Sequence, residues 1–168
     1  MTMSPSPDPA NADSPDADRP AVGFPPPFVY LGFLLLGFVL DRLAGFARFD
    51  FGISGDALGV ALALAGLFVV VTALRYFRRE GEDPEPWTPS QTMLAAGIYR
   101  FTRNPMYLGL ALTYLGIAIF FASPGALLLL LLAIFTIRYF VIAREEAYLT
   151  RRFGQAYRDY CKRVRRWI

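Results

Sequence analysis

Histidine is absent from the 168-residue sequence, and cysteine occurs once, at Cys161. A single cysteine excludes an internal disulfide, and without histidine the common imidazole-containing metal motifs are absent. Acid–base catalysis by a histidine side chain is excluded in the same way. A metal site is therefore not expected, and any reaction has to rely on carboxylates, tyrosines, arginines and the positioning of reactants.

Charge is also scarce, because 18% of the residues are charged and 55% are hydrophobic. Soluble globular domains carry about 25% charged residues. The apolar residues form segments of 17 or more residues with almost no charge. A helix of about 17–25 apolar residues crosses the hydrocarbon core of a bilayer, whereas a soluble core helix needs only one apolar face. The composition therefore predicts an integral membrane protein.

The first 23 residues differ from the rest, because they are rich in proline, aspartate, serine and alanine. Such a composition buries too little apolar surface to offset the entropy of ordering, so residues 1–23 are predicted to be a disordered acidic tail. The tail is not a secretory signal, because it has no basic start and no apolar stretch. Residues 24–168 are predicted to form one membrane-embedded domain, with its motifs in residues 90–168.

Four apolar segments predict an all-α fold with about four transmembrane helices. They cover residues 24–43, 57–77, 105–121 and 126–143. Ser123, Pro124 and Gly125 form a tight turn between the last two, which predicts an antiparallel helical hairpin. Small residues in the second segment, at Gly59, Ala63 and Gly66, are typical of helix-packing positions.

Basic residues predict the orientation in the membrane. Residues 75–104 contain five arginines, and residues 144–168 contain eight basic residues. Both regions are expected on the cytoplasmic side, which four spans allow with both termini inside. The tail after residue 143 predicts an amphipathic cytoplasmic helix, interrupted at Gly154, that faces anionic lipid. Basic repeats with interleaved aromatics are absent, so nucleic-acid binding is not expected.

One polar cluster lies at the start of the third segment, in residues 97–109. Arg100 and Arg103, together with the unpaired N–H groups that begin a helix, form a positive end suited to a carboxylate or phosphate. Gly97 and Gly109 permit close backbone approach. The alternative is that these polar residues only mark the membrane interface.

A second polar cluster lies at the end of the fourth segment. Arg138 lies inside the span, where an ionisable residue is by default functional or paired. Glu145 follows seven residues later and is expected on the same helix face, next to Glu146. The alternative is a snorkelling arginine beside two solvated glutamates. Because both clusters are expected at the cytoplasmic side, they are predicted to line one pocket.

These two clusters resemble the isoprenylcysteine carboxyl methyltransferase family, within a broader group that includes phospholipid methyltransferases. The resemblance covers about residues 57–168 and rests on GIYRFTRNPMYLG at 97–109, a helical hairpin, and EEAYLTRRFGQAYRDYCKRVRRWI at 145–168. It implies an S-adenosylmethionine-dependent methyltransferase that acts on a lipophilic or lipid-linked acceptor.

The resemblance also implies roles for individual residues. The cofactor-binding set is Gly97, Tyr99, Asn104, Pro105, Tyr107, Glu145 and Glu146. The catalytic set is Arg103, Asn104 and Arg165, and the substrate-binding set is Arg138, Phe153 and Tyr157. Phe153, Tyr157 and Arg165 are expected in the C-terminal helix that closes the site. The family often has histidine at the position of Asn104, and asparagine can hydrogen-bond there but cannot titrate near neutral pH.

The acceptor implied by the resemblance is the carboxylate of a prenylated cysteine. Phospholipid amines, small thiols and other isoprenoids are equally compatible with the sequence. Two other functions stay open at this point: an NADPH-dependent membrane reductase of the sterol-reductase type, and a non-catalytic membrane adaptor. The sequence indicates no particular oligomeric state.

Overall fold

The structure, a computed structural model, describes residues 24–47, 52–82, 93 and 95–168. Within these ranges the chain is helical and contains no β-strand, as the all-α prediction requires. The α-helices are α1 (Pro26–Ala44), α2 (Gly52–Arg79), α3 (Pro105–Phe120), α4 (Pro124–Thr136) and α5 (Ala143–Arg163). The acidic tail predicted for residues 1–23 lies outside the described residues.

Proline marks the start of three of the α-helices. Pro26, Pro105 and Pro124 each lie in a first turn, where a missing N–H removes no helical hydrogen bond. Ser123 caps α4, because its side chain accepts a hydrogen bond from the N–H of Ala126 at 3.0 Å. These local signals explain why the predicted and observed helix starts agree so closely.

Three helical stretches are long and apolar enough to cross a membrane: Pro26–Ala44, Gly52–Arg79 and the continuous stretch Pro124–Arg163. The chain is therefore an integral membrane protein. α3 has 16 residues, and at 1.5 Å per residue it is about 24 Å long, which is less than the ~30 Å of a hydrocarbon core. The predicted fold class is confirmed, whereas a count of four full spans is not.

α2 packs against α3 through glycines that allow the two backbones to touch. A Cβ atom added to Gly66 would lie 2.4 Å from the amide nitrogen of Thr113, and one added to Gly59 would lie 2.8 Å from the carbonyl oxygen of Gly116. The early part of α2 thus meets the late part of α3, so the helices are antiparallel. The small-residue packing predicted for α2 is confirmed.

α1 lies against α4 and points the same way as α3. A Cβ atom at Gly37 would lie 2.4 Å from the Cα of Ala126. The Tyr30 hydroxyl donates a hydrogen bond to the carbonyl oxygen of Tyr107 at 3.2 Å, near the start of both α1 and α3. The direction of successive helices therefore alternates, and the predicted hairpin of α3 and α4 is confirmed.

α4 continues without a break into a π-helical segment, Ile137–Ile142, and then into α5. A π-helical turn contains more residues than an α-helical turn, which changes the face on which later residues lie. The expectation that Arg138 and Glu145 share a face is therefore wrong: Arg138 is exposed, whereas Glu145 is partly buried. Gly154 interrupts α5 with φ 54° and ψ −123°, as predicted.

Candidate active site

The approach to α3 is shaped by Gly97, which opens a short 3-10 helix, Gly97–Arg100, with a φ of 58°. This left-handed backbone favours glycine, and a Cβ atom there would also lie 2.9 Å from the ring of Tyr76. The turn buries Tyr99 between two aromatic rings of α2, with its centroid 5.8 Å from Tyr76 and 5.7 Å from Phe77. Gly97 therefore acts through its backbone, which positions Tyr99.

Asn104 immediately precedes α3 and is 8% exposed. Its N–H donates to the hydroxyl of Thr102 at 3.2 Å, immediately before Pro105 starts the helix. Pro105 itself is fully buried. Residues 103–107, which we call the RNPMY motif, are thus ordered by local hydrogen bonding and by the restricted backbone of proline.

The end of the chain folds back over this motif. α5 ends at Arg163, and Val164 is extended. We call residues 164–167 the C-terminal strap. The N–H of Arg103 donates to the carbonyl oxygen of Arg165 at 3.0 Å, and Asn104 Nδ2 donates to that of Arg166 at 2.9 Å. The strap is therefore joined to the motif through its own backbone carbonyls.

The two glutamates at the start of α5 contact different residues of the motif. The hydroxyl of Tyr107, in α3, donates to Glu145 Oε1 at 2.6 Å. Glu146 Oε1 lies 3.3 Å from Arg103 Nη1, and the Glu146 carboxylate accepts from Arg166 Nε at 3.0 Å and from Arg166 Nη2 at 2.6 Å. Both polar clusters predicted from the sequence thus meet at one end of the bundle, which we call the motif end.

Buried and paired charges govern the electrostatics of the motif end. The hydrogen bond from Arg166 to Glu146 raises the pKa of the guanidinium above its ordinary value. Burial raises the pKa of the Tyr99 hydroxyl well above 10, and the nearby negative charge of Glu145 raises it further. Tyr99 and Arg166 therefore both keep their protons at physiological pH.

Arg103 has one guanidinium N–H donor, at Nε, that no described residue accepts from. Its Nη1 also donates to the Sγ of Cys161. Its Nε is buried and has no hydrogen-bond partner among the described residues. Leaving a buried donor unpaired costs roughly 1–3 kcal/mol, so such an atom marks a position where a ligand acceptor would be stabilising.

An aromatic cluster of α5 lies beside the acids and the motif. Tyr157 and Tyr160 are buried with ring centroids 6.0 Å apart, and Phe153 packs against them. The Tyr160 hydroxyl donates to the carbonyl oxygen of Tyr99 at 2.6 Å, which ties α5 to the 3-10 helix. Aromatic faces beside carboxylates favour a cationic ligand group.

The structure brings most of the predicted site residues together. Arg103, Asn104 and Glu146 are joined through Arg166, and Tyr107 is hydrogen-bonded to the neighbouring Glu145. Tyr99, Phe153 and Tyr157 adjoin these two bonded groups. Two predicted residues fall outside them. Arg138 is exposed, and its guanidinium lies 5.5 Å from the ring centroid of Tyr139. Arg165 lies beyond the C-terminal helix in which it was expected, and it contributes its carbonyl group while its side chain is exposed.

Sequence reasoning missed Arg166, which makes the bidentate contact with Glu146. Nothing in the sequence separates it from the seven other basic residues of the tail. It also missed Thr102 and Tyr76. The helical spacing of Tyr160 with Tyr157 indicates that both lie on the same face of the helix. It does not indicate the hydrogen bond from Tyr160 to the Tyr99 carbonyl.

Comparison with known proteins identifies the chain. A model of the phospholipid methyltransferase family matches residues 55–156. This range contains both the RNPMY motif and the adjacent Glu145 and Glu146, which we call the acid doublet. The chain belongs to the phospholipid methyltransferase family. This family is part of the isoprenylcysteine carboxyl methyltransferase group, so the resemblance inferred from the sequence is confirmed.

The chain is also similar to an uncharacterized protein of Haemophilus influenzae, with 43% identity over 63 residues. That match covers 38% of this chain and 100% of the relative. No solved structure matches the chain. Family membership and the apolar helices together make this protein a membrane methyltransferase.

Proposed function

We propose that this membrane methyltransferase uses S-adenosylmethionine, bound at the motif end, to methylate an acceptor dissolved in the bilayer. The observation that carries the proposal is the 2.6 Å hydrogen bond from Tyr107 to Glu145, which joins the start of α3 to the start of α5. Residues 38 positions apart thereby share one site.

The residues of the motif end fit the chemistry of this cofactor. The Glu145 carboxylate can accept hydrogen bonds from ribose hydroxyls or an ammonium group. The unpaired Nε of Arg103 suits a carboxylate group of the ligand. The tyrosine rings of the site can stabilise a sulfonium by cation–π contact, worth about 0.5–2 kcal/mol.

When bound, S-adenosylmethionine supplies a methyl group on a positively charged sulfur. The protein then has to hold the acceptor in line with that group, and alignment of two reactants contributes roughly 7–11 kcal/mol. An ionised carboxylate or thiolate acceptor needs no base from the protein. For an amine acceptor, Glu145 is the residue suited to take the released proton. The buried surroundings of Tyr99 and Tyr107 help to exclude water.

The acceptor proposed first is the carboxylate of a prenylated cysteine, as the group to which the family belongs implies. Phospholipid amines, small thiols and other isoprenoids are the competing acceptors. We propose that the acceptor enters from the bilayer and the cofactor from the cytoplasm, because basic residues flank the site on both the α2–α3 connection and α5. The termini are then cytoplasmic as well.

Binding of S-adenosylhomocysteine to the full-length protein in detergent tests the proposal. Calorimetry is expected to give a one-to-one complex that S-adenosylmethionine displaces and NADPH does not. Displacement by NADPH alone would instead support a reductase, and binding of neither nucleoside by folded protein would support a non-catalytic adaptor. Labelling of membrane extracts with methyl-tritiated cofactor then identifies the acceptor.

A further inference from the structure

The two adjacent glutamates differ in what holds them. Successive residues of an α-helix are separated by about 100° around the axis, so Glu145 and Glu146 face different neighbours. Glu145 accepts from the Tyr107 hydroxyl. Both oxygens of Glu146 are engaged by Arg166, and one of them also lies 3.3 Å from Arg103. Glu146 is thus already saturated by protein cations, with its side chain 16% exposed.

Arg166 connects this acid to the C-terminal strap. Its side chain pairs with Glu146, and its carbonyl oxygen accepts from Asn104 Nδ2 and from the hydroxyl of Thr102. One residue therefore bridges α5 and the motif from both its side chain and its backbone. Trp167, the next residue, packs against the apolar core.

From this arrangement we infer that the acid doublet divides two tasks: Glu145 faces the ligand, and the Glu146–Arg166 ion pair fastens the C-terminal strap. Arg166 is then a positioning residue, because it acts on the ligand through Arg103 and Asn104. This inference rests on the proposed function for the role of Glu145. It departs from the expectation that both glutamates hold the cofactor.

A bidentate contact between arginine and carboxylate has a defined geometry, which lysine reproduces only as a point charge. Loss of the pair would release the strap and with it the carbonyl groups that orient the motif. Ligand affinity would fall because the site is no longer organised before binding. Loss of Glu145 would instead remove a ligand contact and leave the strap in place.

Hydrogen exchange of the Arg103 amide reports directly on the strap, because that N–H donates to the carbonyl of Arg165 at 3.0 Å. In the full chain in detergent without ligand, Glu146→Gln and Arg166→Gln are expected to raise its exchange rate at least about tenfold. Arg166→Lys is expected to give an intermediate rate. Glu145→Gln is expected to match the wild type, as is the control Asp159→Asn, at an exposed ion pair on the same helix.

Calorimetry with S-adenosylhomocysteine gives the second readout. Arg166→Gln is expected to weaken binding about tenfold, with Arg166→Lys recovering part of the loss. If Glu146→Gln does not fold, Arg166→Gln serves alone, since its side chain is 34% exposed. Wild-type amide protection in Arg166→Gln would overturn the inference, as would equally fast exchange in Glu145→Gln. If the wild type binds no nucleoside, the proposed function fails, while the exchange experiment still decides whether the ion pair fastens the strap.

Discussion

Carboxylates join separate helices at both ends of the bundle, but they are satisfied in different ways. At the end opposite the motif, Asp41 of α1 accepts hydrogen bonds from the N–H of Gly125 at 2.6 Å and from the hydroxyl of Ser123. Both donors belong to the turn that starts α4. A Cβ atom on Gly125 would lie 2.5 Å from the carbonyl oxygen of Gly37, so α1 and α4 are in close backbone contact at this joint.

At the motif end the donors are long or aromatic side chains. Tyr107 holds Glu145, two arginines hold Glu146, and Arg103 Nε is left without a partner among the described residues. Side-chain donors can exchange partners when a ligand arrives, whereas a backbone N–H at a helix start has one fixed position. One end of the bundle is therefore a closed structural joint, and the other is the end at which we propose that the ligand binds.

The largest effect is expected from Glu145→Gln, which keeps the size of the side chain and removes its charge. Loss of a charge-assisted contact costs about 1.5–3 kcal/mol, so affinity for S-adenosylhomocysteine should fall about 10- to 150-fold. Calorimetry in detergent measures this, with Asp159→Asn as the control. Wild-type affinity in the variant would show that Glu145 does not contact the ligand, which would contradict the proposed difference between the two ends.

Gly37→Ala tests the closed end, because its Cβ would lie 2.4 Å from the Cα of Ala126. Forcing α1 away from α4 is expected to lower the free energy of unfolding by about 1–3 kcal/mol. Gly32→Ala is the matched control on the same helix, where an added Cβ would meet no other described part of the chain within 4 Å. Thermal unfolding in detergent should separate the two variants, and equal stability would show that close helix contact is not needed here.

Asp41→Ala sharpens the comparison between the ends. The change removes the acceptor for two donors at the start of α4 and should cost about 1–2 kcal/mol of stability. Affinity for S-adenosylhomocysteine should stay unchanged, because Asp41 lies at the end opposite the motif. Reduced affinity without reduced stability would mean that the two ends are coupled.

The smallest effect is expected from Asn104→Ala, which removes the 2.9 Å hydrogen bond to the Arg166 carbonyl. An ordinary hydrogen bond contributes about 0.5–1.5 kcal/mol, so ligand binding should weaken roughly two- to tenfold while the chain stays folded. Titration calorimetry combined with circular dichroism checks both statements. A loss as large as that of Glu145→Gln would instead assign Asn104 a direct ligand contact.

The helices of this protein could be predicted within a few residues because their signals are local. Residues 24–43 were expected for the first span and Pro26–Ala44 is observed, since prolines open the helix and Gly45 ends it in a left-handed conformation. The π-helical segment, Ile137–Ile142, was not predicted. Its sequence is as apolar as the helix before it, so no local pattern distinguishes a wider turn.

The candidate site could be predicted in part for the same reason. Asn104, Tyr107, Glu145 and Glu146 lie in two short motifs that the sequence itself displays. Arg166 could not be separated from its basic neighbours, because its pairing with Glu146 depends on the path of the strap. The π-helical segment lies between Arg138 and Glu145, so their different faces could not be predicted from the seven-residue spacing.

The sequence by itself determined that the chain is helical, lies in a membrane and carries two polar motifs on either side of a hairpin. The length of apolar segments and the positions of proline, glycine and charged residues act locally. They can therefore be recognised in the sequence without knowledge of the fold. Only the tertiary structure decided which acid faces Tyr107 and which is held by Arg166, because contacts between residues far apart in the chain depend on helix rotation and backbone path.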